Sequence, residues 1–160
     1  MISTDQLVFR IQKIFGLCRP HGIIFGWDKA RYFSSISALC SDCKVVNNTD
    51  FNYSYCNSFE LESRVNRRAH DLVITFKTSF ILDVFSLHVT RYSRNRKRGN
   101  MVSEQDCDEL RPILDTIRRF ARTIDFQEIG SSNQGVVVDG VTLELSDVAT
   151  LGKCLFDDFE

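Results

Sequence analysis

The sequence predicts a single α+β domain over residues 1–160, in which a mainly antiparallel sheet packs with about three helices. Strand-like and helix-like segments do not alternate strictly, as they would in a doubly wound parallel sheet. A length of 160 residues suits one domain, and 43% apolar with 26% charged residues is typical of a globular chain. Thirteen phenylalanines supply a large core.

The N-terminal part predicts one clear helix and two less regular segments. Residues 3–17 repeat apolar side chains at helical spacing, and Ser3 with Gln6 forms a capping box. Residues 23–25 are three consecutive apolar residues, for which we expect a short buried strand. Residues 28–43 also show a helical face, but several serines weaken it.

The middle of the chain predicts most of the sheet. Residues 44–63 contain two strand-like pieces around a polar turn. Residues 71–77 and 80–92 alternate like strands, and their short connection predicts a hairpin. Because residues 80–92 carry apolar side chains on both faces, we expect them to form a central strand.

The last third predicts a helix, a short strand, a hairpin and a final helical segment. Ser103 caps a long apolar stripe that ends at Ile124, and Pro112 should kink this helix or mark its true start. Residues 125–129 suggest a strand. Residues 136–145 predict a hairpin with Asp-Gly at its turn, and residues 146–159 show a weaker helical face.

Charge is strongly segregated along the chain, although the net charge is −1. Residues 64–98 contain nine Lys or Arg and two Asp or Glu, whereas residues 99–160 contain five Lys or Arg and thirteen Asp or Glu. The first block suits a polyanion and the second suits a cationic partner.

The acidic block ends in carboxylates set among phenylalanines. Asp157, Asp158 and Glu160 lie beside Phe156 and Phe159. The helix dipole explains the acids that follow Ser103, but it does not explain this cluster. We therefore expect an aromatic anchor flanked by carboxylates, suited to a basic groove on a protein partner.

The basic block favours an alternative, nucleic-acid binding, through one short loop. Its candidate contacts are the phosphate-binding side chains Arg91, Arg94, Arg96, Lys97 and Arg98, with Tyr92 as a stacking ring. A pI near 6.3 argues against this function. A solvated hairpin end explains the same residues.

No enzyme motif is present, and we predict neither catalysis nor a cofactor. The chain lacks a nucleophile elbow, a phosphate-binding glycine loop and a dinucleotide fingerprint. Spacing gives none of its three histidines, His21, His70 and His88, a catalytic partner.

A zinc site is conceivable but is not predicted. Cys18-x-x-His21 and Cys40-x-x-Cys43 have ligand-like spacing, yet such pairs arise readily by chance in a chain with six cysteines. The first residues lack a secretory pattern and the apolar runs are strand-sized, so we expect a cytoplasmic protein with reduced thiols and no membrane association.

The chain resembles the immunity proteins of bacterial toxin–immunity systems, including those of contact-dependent growth inhibition. The resemblance lies in its α+β character, the absence of a catalytic motif, and its closing segments 141–149 and 155–160. It implies a protein that binds one cognate toxin domain, of nuclease type, and blocks its active site. The implied partner-binding residues combine carboxylates with aromatic anchors: Glu144, Asp147, Phe156, Asp157, Asp158, Phe159 and Glu160.

Three other functions stay open at this point. One is the nucleic-acid module described above. Another is a secretion chaperone or adaptor that binds an extended segment along a groove. The last is a small hydrolase that uses the histidines. The sequence does not determine the oligomeric state.

Overall fold

The sheet forms the centre of the fold. The computed structural model describes residues 2–65, 71–93 and 98–158, and in these residues six strands build one sheet. The strands are β1 (Cys43–Asn47), β2 (Cys56–Ser63), β3 (Leu72–Ser79), β4 (Val84–Tyr92), β5 (Gly99–Val102) and β6 (Gln127–Glu128). β1 to β5 are antiparallel neighbours in chain order, and β6 pairs with β4 in parallel. The fold class is α+β, as predicted.

Helices flank the sheet at several points along the described chain. They are α1 (Thr4–Leu17), α2 (Gly22–Phe25), α3 (Phe33–Leu39), α4 (Arg111–Thr123), α5 (Ser131–Gln134) and α6 (Leu151–Leu155). α1 begins with the predicted capping box, because the Ser3 side chain accepts from the Gln6 N–H and the Gln6 side chain accepts from the Ser3 N–H. Of the short helices, α2 and α5 were not expected, so the estimate of about three helices was too low.

One face of the sheet carries the first core. Leu72, Ile74 and Phe76 of β3 point to this face, where Phe76 lies between Phe59 of β2 and Leu87 of β4. α3 and α4 cover it. The alternation read from the sequence therefore identifies the side chains of β3 that face the first core, although the other residues of β3 are buried as well.

The opposite face carries a second core over only part of its area. Val84 of β4 and Cys56 of β2 point to this side, and Leu7 of α1 and Leu155 of α6 pack there. The remaining part of this face, toward the other end of β4, carries polar side chains. The second face is thus apolar at one end and polar at the other.

The long helix predicted after Ser103 is interrupted. Two 3-10 turns, Glu104–Asp106 and Asp108–Leu110, precede α4, and Pro112 lies in the first turn of α4. Proline is tolerated there because its missing N–H would have no helical partner. The sequence allowed two interpretations of Pro112, a kink or the true start of the helix, and the structure shows the second.

Arg118 attaches α4 to the sheet. Its guanidinium donates to both carboxylate oxygens of Glu128 in β6, at 2.8 and 2.9 Å, and to Glu104 at 2.5 Å. These hydrogen bonds, with Glu128 contributing most, raise the pKa of Arg118 above its usual value.

The prediction of a buried strand at residues 23–25 was wrong. These residues form α2, and the N–H groups of Gly26 and Trp27 return to the carbonyls of Ile23 and Gly22. Gly26 adopts a left-handed conformation with φ 65°, which closes the helix at low cost for glycine. This local closure satisfies the backbone without a strand partner.

The prediction of a hairpin at residues 136–145 was also wrong. Asp139 and Gly140 do form a turn, with Gly140 at φ 75°. However, the residues before the turn pair with a later segment, since Val137 bridges Thr150 and the Val138 N–H donates to the Ala149 carbonyl at 2.9 Å. Tertiary packing of Val138 in the second core replaced the local pairing.

Two boundaries also differ from the prediction. β4 begins at Val84 rather than at residue 80, so residues 80–83 connect it to β3. The final helical segment, expected over residues 146–159, is limited to α6.

A pair of leucines tests the first core. Leu61 is 1% exposed and Leu39 is 51% exposed. We expect Leu61→Ala to lower the free energy of unfolding by about 2–5 kcal/mol, because it leaves a cavity under the sheet. Leu39→Ala should cost less than about 1 kcal/mol. Urea denaturation followed by circular dichroism measures both, and equal losses would contradict this assignment of the core.

Candidate functional site

The carboxylates near the end of the sequence are buried, which corrects the expectation of an exposed anchor. Phe156, Asp157 and Asp158 are 2%, 4% and 0% exposed. Phe156 packs in the second core. In this fold the three side chains are not accessible to a partner. The other two residues of the expected anchor, Phe159 and Glu160, lie outside the described residues.

Asp157 forms a buried ion pair with the centre of the sheet. One carboxylate oxygen lies 2.5 Å from the Lys77 Nζ of β3, and the other accepts from the Ser54 hydroxyl at 2.6 Å. A buried ammonium or carboxylate is costly unless it is paired. The pair therefore fixes residues 156–158, which we call the closing segment, against β3.

Asp158 organises the surface segment that precedes α6. Its carboxylate accepts from the backbone N–H groups of Glu144 and Leu145 at 2.7 and 3.2 Å, and lies 3.9 Å from the Arg19 guanidinium. The Ser146 hydroxyl donates to the Asp158 carbonyl. The buried acid thus holds residues 144–146 in one conformation.

Glu144 and Asp147 are exposed, as a partner-binding role requires. Glu144 forms an ion pair with Arg19 and keeps about half of its side chain exposed. Leu145 and Val148, which neighbour these two acids, are exposed as well. This segment therefore offers carboxylates and aliphatic side chains together.

A second group of exposed apolar residues lies around α2. Leu17 is 88% exposed and Ile24 is 77% exposed, and Ile23 and Phe25 are also exposed. Arg19 lies between Leu17 and α2 in the sequence, and its ion pair with Glu144 links this region to the segment 144–148. We call the combined set the acidic–apolar surface: Leu17, Ile23, Ile24, Phe25, Glu144, Leu145, Asp147 and Val148.

Sequence reasoning missed the α2 half of this surface. It assigned residues 23–25 to a buried strand because three apolar residues in a row usually lie in a core. The glycines on either side of the segment, Gly22 and Gly26, were the available signal for a short capped helix.

The basic loop connects β4 to β5, as expected for a hairpin end. Arg91 and Tyr92 close β4, and the Ser93 N–H donates to the Arg98 carbonyl at 3.0 Å. The Arg91 Nε lies 3.4 Å from an Asp71 carboxylate oxygen, while Arg98 is exposed. Arg94, Arg96 and Lys97 lie outside the described residues, and nucleic-acid binding stays a prediction.

The zinc-like spacings do not converge on one site. Cys40 and Cys43 are buried in the first core, whereas Cys18 is exposed after α1. In the parts of the chain that the structure describes, no group of three or more His, Cys, Asp or Glu could hold a metal ion. His88 lies on β4 opposite Thr75, and His70 is outside the described residues.

Comparison with known proteins identifies no relative: no protein-family model, curated sequence or solved structure matches this chain. No described helix is both long and apolar enough to cross a membrane. The function must therefore be argued from the geometry above.

The buried ion pair gives a stability prediction. Asp157→Ala leaves the Lys77 ammonium buried without its carboxylate, so we expect a loss of about 3–5 kcal/mol in the free energy of unfolding. The double variant Lys77→Met/Asp157→Leu should lose less, because no charge stays buried. Asp147→Ala, at an exposed acid, should change stability by less than about 0.5 kcal/mol. If Asp157→Ala were as harmless as Asp147→Ala in urea denaturation, the stabilising role of the Lys77–Asp157 ion pair would be contradicted.

The cysteines give a prediction about chemical reactivity. Burial raises the pKa of Cys43 to about 11 and that of Cys154 to about 12, and thiolates are the reactive form. We expect one thiol, Cys18, to react quickly with Ellman's reagent at about pH 8, and the buried thiols to react only after unfolding. Cys18→Ser should remove the fast phase, and a second fast thiol in that variant would contradict the described burial.

Proposed function

We propose that this protein is an immunity protein of the toxin–immunity type, acting in the cytoplasm. It binds a cognate toxin domain with a basic surface, of nuclease type, and blocks the active site of that domain. The observation that carries the proposal is the acidic–apolar surface, where exposed aliphatic side chains lie beside exposed carboxylates.

Its apolar residues favour a protein partner. Large exposed apolar groups that cluster on a surface often mark interaction sites, since they gain free energy when another protein covers them. Burying one isoleucine contributes about 1.5–3 kcal/mol. Ile23, Ile24 and Leu17 together would supply a substantial apolar contact.

Its charge favours a basic partner. Within the acidic–apolar surface, Arg19 offsets Glu144, which leaves Asp147 as an acid without a described ion pair. Acids at the edge of an interface steer a basic partner and raise its association rate.

The buried acids support the proposal indirectly. Asp158 fixes the backbone of residues 144–146, and the Arg19 ion pair fixes Glu144. A segment that is already ordered loses little conformational entropy on binding. The carboxylates of the segment 156–158 therefore act as supports for the surface rather than as contacts.

A nucleic-acid module remains the alternative, through the basic loop. The pairing of Arg91 with Asp71 reduces the charge that this loop offers to phosphates. Steeply salt-dependent binding of RNA or DNA, lost on replacing Arg91 and Arg98 with alanine, would favour this alternative.

The decisive experiment pairs the protein with a toxin. The proposal expects the adjacent reading frame to encode a large secreted protein with a variable C-terminal domain, and that domain is the probe. We expect co-expression to rescue growth, and the purified protein to inhibit the toxin at a stoichiometry of about one to one. Ile24→Asp should weaken binding at least about tenfold, since it places a charge in the apolar contact.

Matched controls lie on the other side of the sheet. Leu39→Asp changes an exposed leucine of α3 and should leave toxin binding unchanged. Asp147→Lys should slow association and reduce its salt dependence, whereas Asp115→Lys, at an exposed acid of α4, should not. If the unmodified protein did not inhibit the toxin, the proposed immunity function would be overturned. If Ile24→Asp and Leu39→Asp had equal effects on binding, the assignment of the acidic–apolar surface as the toxin-binding site would be overturned.

A further inference from the structure

The polar end of the second sheet face contains a cleft of about 290 Å³. Side chains from β2, β3, β4 and the segment 48–54 line it, together with Asp157, and every lining side chain is polar. Ligand pockets are usually lined mainly by apolar residues. A lining in which every side chain carries a polar group therefore favours an occupant that can form hydrogen bonds.

Strand register places these polar groups in rows. Glu60, Thr75 and His88 lie side by side on β2, β3 and β4, and Ser58, Lys77 and Ser86 form the next row. The same strands carry Phe, Leu and Ile on the opposite face. The polar rows are therefore confined to the face that the second core leaves uncovered.

The charges in the cleft favour a cation. Its lining contains three carboxylates, Asp50, Glu60 and Asp157, against one ammonium, Lys77, and one imidazole, His88. Asp157 already neutralises Lys77. Neither Asp50 nor Glu60 forms an ion pair with another described residue, so two negative charges face the cleft, and an anionic ligand would be repelled.

Two aromatic rings add to this preference. Tyr53 and Tyr92 line the cleft, and Tyr53 is partly exposed. A guanidinium or ammonium group is attracted to the face of such a ring, and the methylene stem of Arg or Lys packs on it. The cleft volume is at the lower limit of small-molecule sites, which suits one side chain better than a large ligand.

The cleft also adjoins the acidic–apolar surface. Asp157 lines the cleft, and the next residue, Asp158, holds Glu144 and Leu145 through their backbone N–H groups. Asp158 also donates its N–H to the Tyr53 carbonyl at 3.0 Å. The closing segment therefore connects the cleft to the acidic–apolar surface.

We propose that this cleft binds a single Arg or Lys side chain of the protein partner. The identity of the partner rests on the proposed function, but the chemistry of the cleft does not. Glu60 and Asp50 pair with the cationic group, while Tyr53 and Tyr92 contact its stem. Arginine fits best, because its planar guanidinium can bond a carboxylate and stack on a tyrosine ring together.

The test uses small probes and does not require the partner. The full protein is titrated with argininamide and with citrullinamide, a neutral analogue of nearly the same shape, and amide chemical shifts are recorded by NMR. We expect saturable shifts at cleft residues with argininamide only. Glu60→Gln should weaken argininamide binding at least about fivefold, because it removes a charge-assisted hydrogen bond.

The controls separate this proposal from the proposed function. Asp115→Asn removes an acid of α4 and should leave argininamide binding unchanged. Tyr92→Leu is a second cleft variant, which should also weaken argininamide binding. It serves as the test if Glu60→Gln disturbs the fold. Equal binding of citrullinamide overturns the proposed cation site and indicates a neutral hydrogen-bonding ligand. If neither cleft variant changes argininamide binding, the proposal is also overturned, because the cleft then does not hold the ligand. Argininamide binding without toxin inhibition would instead contradict only the proposed function.

Discussion

The ion pair between Lys77 and Asp157 is the contact on which the rest of the structure depends. It joins residues 80 positions apart in the sequence, in the middle of the sheet, where both charges are removed from water. Such a pair adds little net stability compared with apolar residues, but an arrangement that buried either charge without the other would be strongly disfavoured. It therefore specifies where the closing segment lies, and the segment in turn closes the second core.

This constraint divides the second sheet face into two regions. On one side of the pair, α1 and α6 cover apolar side chains, and Phe156 fills the second core. On the other side, polar side chains of β2, β3 and β4 line the cleft. A lysine and an aspartate are suited to this boundary because their charges face the polar side while the chain around them packs against the apolar one.

Much of the fold could be predicted because it is encoded locally. The capping box of α1, the alternation along β2 and β3, and the β3–β4 hairpin each depend on residues close in sequence. The site could be predicted only in part. Glu144 and Asp147 are exposed as expected, but Asp157 and Asp158 have the same composition and are buried. Nothing local distinguishes the two pairs of acids, because the difference depends on Lys77 and on the backbone N–H groups of Glu144 and Leu145.

The acids of the last third of the chain, which form one charged block in the sequence, are divided by the fold into exposed and buried groups. The sequence by itself determined the α+β class, the positions of β1, β2, β3 and most of β4, and the capped first helix, because these follow from periodicity and capping chemistry. Only the tertiary structure decided that residues 23–25 are exposed, that residues 136–138 pair with a distant segment, and that the closing carboxylates face inward. Residues 23–25 form a locally closed helix whose apolar side chains are left largely exposed. The other two outcomes depend on long-range contacts, the packing of Val138 in the second core and the partners of the buried carboxylates, and such contacts cannot be derived from the order of residues along the chain.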